Sequence, residues 1–385
     1  HHLFQPLLYQ VAVSALSPGD IAYPIRTIFR KSKNIRTMMD EVVSVELLQN
    51  TVTLGSGRRI DYDYLVLAPG ARTTYFNKWE WSKYAFSLKT LSDALKIREN
   101  ILLSFENAEH QPTIETAKPY LRFVIVGGGP TGVELAGSIA ELIHRTILPD
   151  FPHLDPKQIE IVLIDSGTRL LSAFPEELAR YAEMSLQKLK VELLLETRVT
   201  DITDGLVKTT RGVIEARNIF WAAGNSASPL LDSLGVPRDK VGRVIVLSDC
   251  SIPNFPNVFV IGDSANFRTE NGEELPAIAP VAMQQGKFVA RIIKERIPFG
   301  FRPAFQYRDK GTMATIGKAR AVAMLKGFRF KGFFAWLVWS LVHIFFLIGF
   351  RNRVRVMLEW IWYYITFKSG ARLIVQNYKE RKDNS

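Results

Sequence analysis

Between Phe123 and Gly137 the chain reads Phe-Val-Ile-Val-Gly-Gly-Gly-Pro-Thr-Gly-Val-Glu-Leu-Ala-Gly. An apolar, β-branched run passes directly into Gly-x-Gly-x-x-Gly, and a helical apolar period follows from Pro130 to His144. Such a run requires a strand, a tight turn and a helix in that order. Gly127 permits the turn, Gly129 lets the backbone approach a pyrophosphate, and Gly132 lets helix and strand pack closely. Unpaired N–H groups at the positive end of the helix complete a phosphate site. A second apolar run, Ile159 to Asp165, ends in an acid where a ribose-binding carboxylate belongs. A carboxylate there accepts from a free 2′-hydroxyl and repels a 2′-phosphate, so NADH is favoured over NADPH. Arg169, four residues on, is placed to soften that preference. The plainer alternative is a surface acid that closes a strand.

At 385 residues the chain has room for two or three domains of roughly 100–200 residues. Its single cysteine, Cys250, excludes an internal disulfide or dithiol redox couple and reads as a small packed apolar residue. No Cys or His spacing suggests a metal site. The net charge of +11 is unevenly placed: from Lys326 onward there are eleven Lys/Arg against three Asp/Glu, interleaved with Phe, Trp, Tyr and Leu. That mixture suits an anionic membrane surface and argues against nucleic acid. Phe333 to Phe350 carries no formal charge, and a second aromatic helix is expected over Val354 to Phe367. Trp336, Trp339, Trp360 and Trp362 are of the type that prefers a membrane–water boundary. Three readings stand: two helices lying in one leaflet, one membrane span, or a buried core or dimer interface. His343 reads as a boundary or packing residue.

Two further segments carry small residues at strand ends. Tyr62 to Ala71 ends in Ala68-Pro-Gly70-Ala, and Asn257 to Ala265 contains Gly262-Asp263, whose carboxylate suits a sugar-alcohol hydroxyl. Either alone could be an ordinary strand and turn. Flanking the fingerprint in this order, they look like the later motifs of a flavin-binding domain into which an NADH domain has been inserted. The expected fold is α/β, with tandem Rossmann-like dinucleotide domains: an FAD-binding part over 1–112, an NADH-binding domain over 113–249, a second FAD-binding part over 250–325, and amphipathic, apolar membrane-anchoring helices over 326–385. This pattern puts the FAD domain's own first strand and Gly-x-Gly-x-x-Gly before residue 1, so the chain reads as N-terminally truncated.

His1 to Gln10, Gly127 to Glu134, Phe220 to Gly224, Val260 to Ala265, Ala279 to Gly286, Lys310 to Gly317 and Leu347 to Arg353 together resemble the type II, single-subunit, non-proton-pumping NADH:quinone oxidoreductases. The resemblance implies a monotopic flavoprotein that passes a hydride from NADH to FAD, then two electrons and two protons to a quinone (ubiquinone or menaquinone). It implies residence on the cytoplasmic face of a bacterial inner membrane, with a homodimer left open. By the same resemblance Ala68, Gly70 and Asp263 contact FAD, and Gly127, Gly129, Gly132, Asp165, Ala223 and Gly224 contact NADH. Glu134 matches the acid near the meeting point of nicotinamide, flavin and quinone, although Thr131-x-x-Glu134 also reads as a capping box. Ala279-Pro280-Val-Ala282-Met-Gln284 matches the quinone-site pattern Ala-Gln-x-Ala-x-Gln, with Pro280 in place of its first Gln. Gln284, and with it Gln285, remain to bond a quinone carbonyl, and Ala282 lies against the cofactor. Lys310 is a cation near the flavin or on a proton route, or a surface lysine. A sulfide:quinone oxidoreductase is disfavoured by the single cysteine. A membrane-attached NAD(H)-binding protein without turnover is the remaining rival.

Overall fold

Along Arg122–Val126 the side chains alternate between two buried faces. Phe123 and Ile125 join a large core, Val124 and Val126 a smaller one. A strand buried on both sides belongs in a parallel sheet covered by other elements. In this computed structural model, which describes residues 1–325, 327–366 and 372–374, it is the central strand of five. The order is Val191–Leu194, Glu160–Ile164, Arg122–Val126, Asn218–Trp221, Ala85–Ser87, and every pairing is parallel. This is the doubly wound α/β sheet that the fingerprint implied.

The chain forms two compact units. The first combines His1–Ile35, Tyr75–Gly224 and the chain from Gly311 onward; the second combines Arg36–Thr74 and Asn225–Lys310. These divisions follow packing, whereas the boundaries at 112, 249 and 325 follow cofactor motifs.

In the first unit the fingerprint strand is followed by the helix Pro130–Leu142, which continues as a π-helical turn over Ile143–Ile147. The helix Leu91–Glu109 opens on a capping box made by Thr90 and Asp93. Every residue of the short helix Leu8–Ala12 is buried. An antiparallel sheet of Thr312–Thr315, Ala321–Leu325 and Phe328–Gly332 packs against the fingerprint helix. Gly137 makes that approach possible, because a Cβ there would lie 2.9 Å from the backbone carbon of Ile316.

The charge-free stretch Phe333 to Phe350 is not one span. Phe333–Phe346 is helical, Leu347 turns extended, Gly349 adopts φ +88°, and a second helix runs Phe350–Thr366. Among the described residues no helix is long and apolar enough to cross a membrane. Ala335, Trp339, Leu347 and Val356 are buried within the first unit, whereas Phe334, Leu341, Phe345, Phe350, Ile361, Trp362 and Ile365 are exposed. The two helices are thus part of the core on one side and apolar to solvent on the other. His343 stacks on Trp339 at 4.1 Å and its Nδ1 bonds the Trp339 carbonyl at 2.7 Å, and burial pushes its imidazole down to about 4. It is a packing residue. Lys326, Phe367, Lys368, Lys379, Arg381 and Lys382, which belong to the basic tail, lie outside the described residues.

In the second unit Leu65–Leu67 pairs in parallel with Phe255–Val260. Three antiparallel strands, Val42–Glu46, Thr51–Leu54 and Arg59–Asp61, form a further sheet. The helix Ala279–Lys294 buries Val281, Gln285, Val289 and Ile292, a single stripe at helical spacing. Pro280 stands in its first turn, where a missing N–H costs no helical bond.

Candidate functional site

The fingerprint turn is built by exclusion. Gly127 has φ +115°, and a Cβ on it would meet the Ala222 carbonyl carbon at 2.8 Å. A Cβ on Gly132 would sit 1.8 Å from the Gly127 carbonyl oxygen, so strand end and helix start touch through backbone alone. Gly129 differs: it is the helix N-cap, exposed, with nothing within 4 Å of where a Cβ would stand. Two glycines are demanded by the fold, and the third leaves open space at the positive end of a helix of thirteen residues.

Asp165 follows the second strand. Its Oδ2 accepts from the Gly128 N–H at 2.6 Å and its Oδ1 from the Gly167 N–H at 2.7 Å. The carboxylate is therefore fixed beside the loop, half-buried, with its remaining lone pairs available to a ribose hydroxyl. Arg169 bonds the Ser172 carbonyl at 3.0 Å. Gly128, which the motif does not specify, also proves restrictive, since a Cβ there would strike the Leu170 side chain at 2.6 Å. Ala223 and Gly224 (φ +74°) follow the strand Asn218–Trp221, whose carboxyl end lies beside that of the fingerprint strand. These residues thus gather at one edge of the sheet.

Glu134 lies on the inner face of the fingerprint helix. The capping-box reading does not hold, because the N-cap is Gly129 and no side chain caps the helix. The Glu134 Oε1 instead accepts from the Thr315 N–H at 3.4 Å, and burial pushes its carboxyl up to about 8. Around it the Tyr9 hydroxyl bonds Thr315 Oγ1 at 2.9 Å, Gln10 donates to the Tyr9 hydroxyl at 3.0 Å, and the Trp360 indole donates to Gln10 at 2.8 Å. Tyr9, Gln10, Thr315 and Trp360 carried no sequence signal for this role, because the Tyr9–Thr315 and Gln10–Trp360 bonds join residues 306 and 350 apart.

In the second unit the parallel strands Leu65–Leu67 and Phe255–Val260 end side by side, so the Ala68–Gly70 and Gly262–Asp263 turns share one carboxyl end of the sheet. That is where doubly wound sheets bind ligands. Gly70 has φ +71° with open space around it, and its carbonyl accepts from the Ser264 hydroxyl at 2.8 Å. The buried Gln285 accepts from the Gly262 N–H at 2.7 Å, and a Cβ on Gly262 would come 3.1 Å from that of Ala282. The turn is held from behind, leaving the Asp263 carboxylate half-buried at its front. An open small-residue turn with one carboxylate fits the hydroxyls of a ribityl chain, as in FAD. Gln284 faces elsewhere: its amide donates to the Arg308 carbonyl and accepts from the Arg308 N–H, both at 3.0 Å. Lys310 is exposed at the end of this unit.

Residues 1–286 match the family model described as pyridine nucleotide-disulphide oxidoreductase, and residues 310–367 match the NDH2 C-terminal domain. Over 97% of this chain and 82% of the relative, the sequence is 41% identical to a type II NADH:quinone oxidoreductase, Ndh, of Mycobacterium tuberculosis. The chain belongs to the type II NADH:quinone oxidoreductase family. A further relative from Staphylococcus haemolyticus with the same description is 29% identical over 85% of this chain and 81% of its own. The structure of NDH2 from Plasmodium falciparum in complex with NADH superposes with a TM-score of 0.86 over 97% of this chain and 92% of that one, at 21% identity, and so shares the fold. For a type II NADH:quinone oxidoreductase, the open Gly129 loop and the enclosed Glu134 are parts of one helix, five residues apart.

Proposed function

We propose that this chain, as a membrane-associated flavoprotein, oxidises NADH and reduces a quinone to its quinol by the balance NADH + H⁺ + quinone → NAD⁺ + quinol. The observation that carries this is the fingerprint helix itself, which presents an open glycine N-terminus at one end and an enclosed carboxyl with a strongly raised pKa in its second turn. FAD, when bound, supplies two-electron chemistry between a hydride donor and a quinone. Ala68, Gly70 and Asp263 hold it, with Ala282 and Gln285 supporting the turn behind Asp263. Gly127, Gly129, Gly132, Ala223 and Gly224 admit the NADH pyrophosphate and nicotinamide, and Asp165 receives the ribose hydroxyls. Glu134, protonated at neutral pH by its burial, holds a proton at its carboxyl for the reduced quinone. Gln284, though its amide is turned to the Arg308 backbone, keeps one amide hydrogen to donate to a quinone carbonyl, and Lys310 adds positive charge at the end of the same unit.

The exposed apolar residues of Phe333–Phe346 and Phe350–Thr366, flanked by Arg351, Arg353 and Arg355, support docking on an anionic lipid surface where quinone dissolves. The cytoplasmic face of a bacterial inner membrane is the setting proposed, and a homodimer through the same face is the competing occupant.

The test follows the two half-reactions of the FAD-loaded enzyme by flavin absorbance. Glu134→Gln should slow reoxidation by quinone by about 10²-fold or more, within the range of positioned proton donors, while flavin stays bound. Unchanged half-reactions would remove Glu134 from the mechanism. Asp165→Ala should narrow the preference for NADH over NADPH, and an unmutated enzyme using both equally would show that Asp165 does not reach the ribose.

A further inference from the structure

Glu134 is half-buried on the inner face of its helix and must be reprotonated once in each turnover of the reaction proposed above. The fingerprint helix carries a second half-buried acid, Glu141, seven residues on and therefore on the same face. At 1.5 Å per residue the two lie about 10 Å apart along the axis, too far for direct exchange. Ser138 stands between them, one turn from each. A cavity of about 60 Å³ lies along this face, lined by the hydroxyls of Tyr9, Ser138 and Thr315 and by Glu141. Its walls are mainly apolar, from Val13, Ala15, Trp336, Trp339 and Trp360, and its volume leaves room for a few water molecules beside those polar side chains. The Thr315 end of that cavity is where Glu134 accepts its hydrogen bond. On its other side Glu141 lines a second, wider cleft with His144, Arg145, Lys190, Lys318 and Arg320, most of which reach solvent.

The geometry points to Glu141 as the proton relay that recharges Glu134 from solvent. This rests on the quinone-reductase reading above. In the relay an O–H bond of the Glu141 carboxyl breaks, its proton passes by way of the Ser138, Tyr9 and Thr315 hydroxyls and the water beside them, and an O–H bond forms on the Glu134 carboxylate. Glu141 then takes a proton from water in the outer cleft, so neither acid changes over a cycle and the transferred proton is the H⁺ of the overall balance.

How Glu141 is held suits this task. Both of its oxygens accept from the Lys318 N–H, at 2.7 and 2.9 Å, which fixes the carboxyl between the two cavities. Gly317 (φ +99°) is required beneath it, since a Cβ there would lie 2.7 Å from Glu141 Oε1. Burial raises the carboxyl to about 7, while the Lys318 N–H and the charges of Arg320, Lys318 and Arg145 hold it below the value that burial alone would give. From its own helix end His144 and Arg145 face it, from the strand turn Lys318 and Arg320, from the end of the Glu176–Lys188 helix Lys188 and from the turn after it Lys190, and from the N-terminal helix Tyr9. A group that titrates near 7 both donates and recovers a proton readily at neutral pH. The π-helical turn at Ile143–Ile147 brings His144 and Arg145 to the mouth of the outer cleft, a use consistent with such turns elsewhere.

The experiment compares Glu141→Gln, which keeps an acceptor for the Lys318 N–H but cannot exchange a proton, with the unmutated FAD-loaded enzyme. Flavin reduction by NADH should be unchanged. Reoxidation by quinone should slow by about 10²-fold and lose its fall as pH rises through about 7. Independently of turnover, infrared spectra of the resting protein should show two protonated-carboxyl C=O components, one titrating near 7 that is missing in Glu141→Gln and one titrating near 8 that remains and is missing in Glu134→Gln. Reoxidation within about twofold of the unmutated rate, or persistence in the variant of the band that titrates near 7, overturns the relay. A wild-type enzyme whose reduced flavin is not reoxidised by quinone would instead overturn the reading on which it rests. If Glu141→Gln does not fold, Glu141→Asp decides: its infrared midpoint and the midpoint of its reoxidation pH profile should move together, and a profile that stays put overturns the proposal.

Discussion

The three glycines of the fingerprint separate fold from ligand. Gly132→Ala should lower the melting temperature sharply or prevent folding, because its methyl would overlap the Gly127 carbonyl. Gly129→Ala should leave the melting temperature nearly unchanged and raise the KM for NADH, because only a ligand would meet that methyl. A Gly129→Ala protein as unstable as Gly132→Ala would show that the loop is structural throughout. Glu134 gives a prediction of opposite kind. Its folded carboxyl is raised to about 8 from an ordinary 4.5, so the folded state binds more protons than the unfolded state between those values. Stability therefore falls as pH rises from about 4.5 to about 8. Glu134→Gln should unfold at a higher temperature than wild type at pH 8, by a margin of the order of a few kcal/mol, and that margin should vanish toward pH 4. The glycine spacing was legible because a turn restricts consecutive residues. The setting of Glu134 was not, because its partner Thr315 is 181 residues away and Tyr9 is 306 residues from Thr315. Glu141 left a faint trace, an acid spaced two helical turns from another on a helix whose other inward residues, Ser138 apart, are apolar.

Among the elements, the strand and helix of the fingerprint and the amphipathic Ala279–Lys294 follow directly from their periods, and Gly-Asp at 262–263 marks a strand end. The two C-terminal helices were ambiguous, since an apolar surface facing a core and one facing lipid are the same string of letters. The structure divides them residue by residue: Trp339 and Val356 inward, Phe334 and Ile365 outward. Removing everything from Phe333 onward should therefore do more than abolish membrane binding. It uncovers Ala321 and Ala323, against which Ala335 packs, and removes Trp339 from the main core. The truncated protein should melt several degrees lower in a calorimeter, as cavity-forming changes do. A truncation that leaves the melting temperature intact would mean that the helices are appendages.

For the molecule as a whole, the sequence carries +11, and the arginines Arg351, Arg353 and Arg355 are interleaved with exposed Phe350, Met357 and Leu358. Attachment to lipid should then have two components with different salt responses. Raising ionic strength screens charge at a length of about 8–10 Å but leaves apolar burial intact. Binding to vesicles containing anionic lipid should weaken with salt to a plateau above zero, and vesicles of neutral lipid should reach only that plateau. Complete release by salt would leave charge as the sole attachment, and a salt-insensitive dimer with no vesicle binding would assign the face to a second copy.

The indole of Trp360 bonds Gln10 across 350 residues, and the first unit is woven from three separated stretches of chain. At synthesis rates of about 5–20 residues per second, the N-terminal helix and the fingerprint helix leave the ribosome tens of seconds before the last strands and helices that complete their core. Leu7, Val11 and Ile139, all fully buried in the finished protein, spend that interval without part of their cover. Until the Phe350–Thr366 helix emerges, the nascent chain therefore presents apolar surface of the kind that makes unfinished folds prone to aggregate.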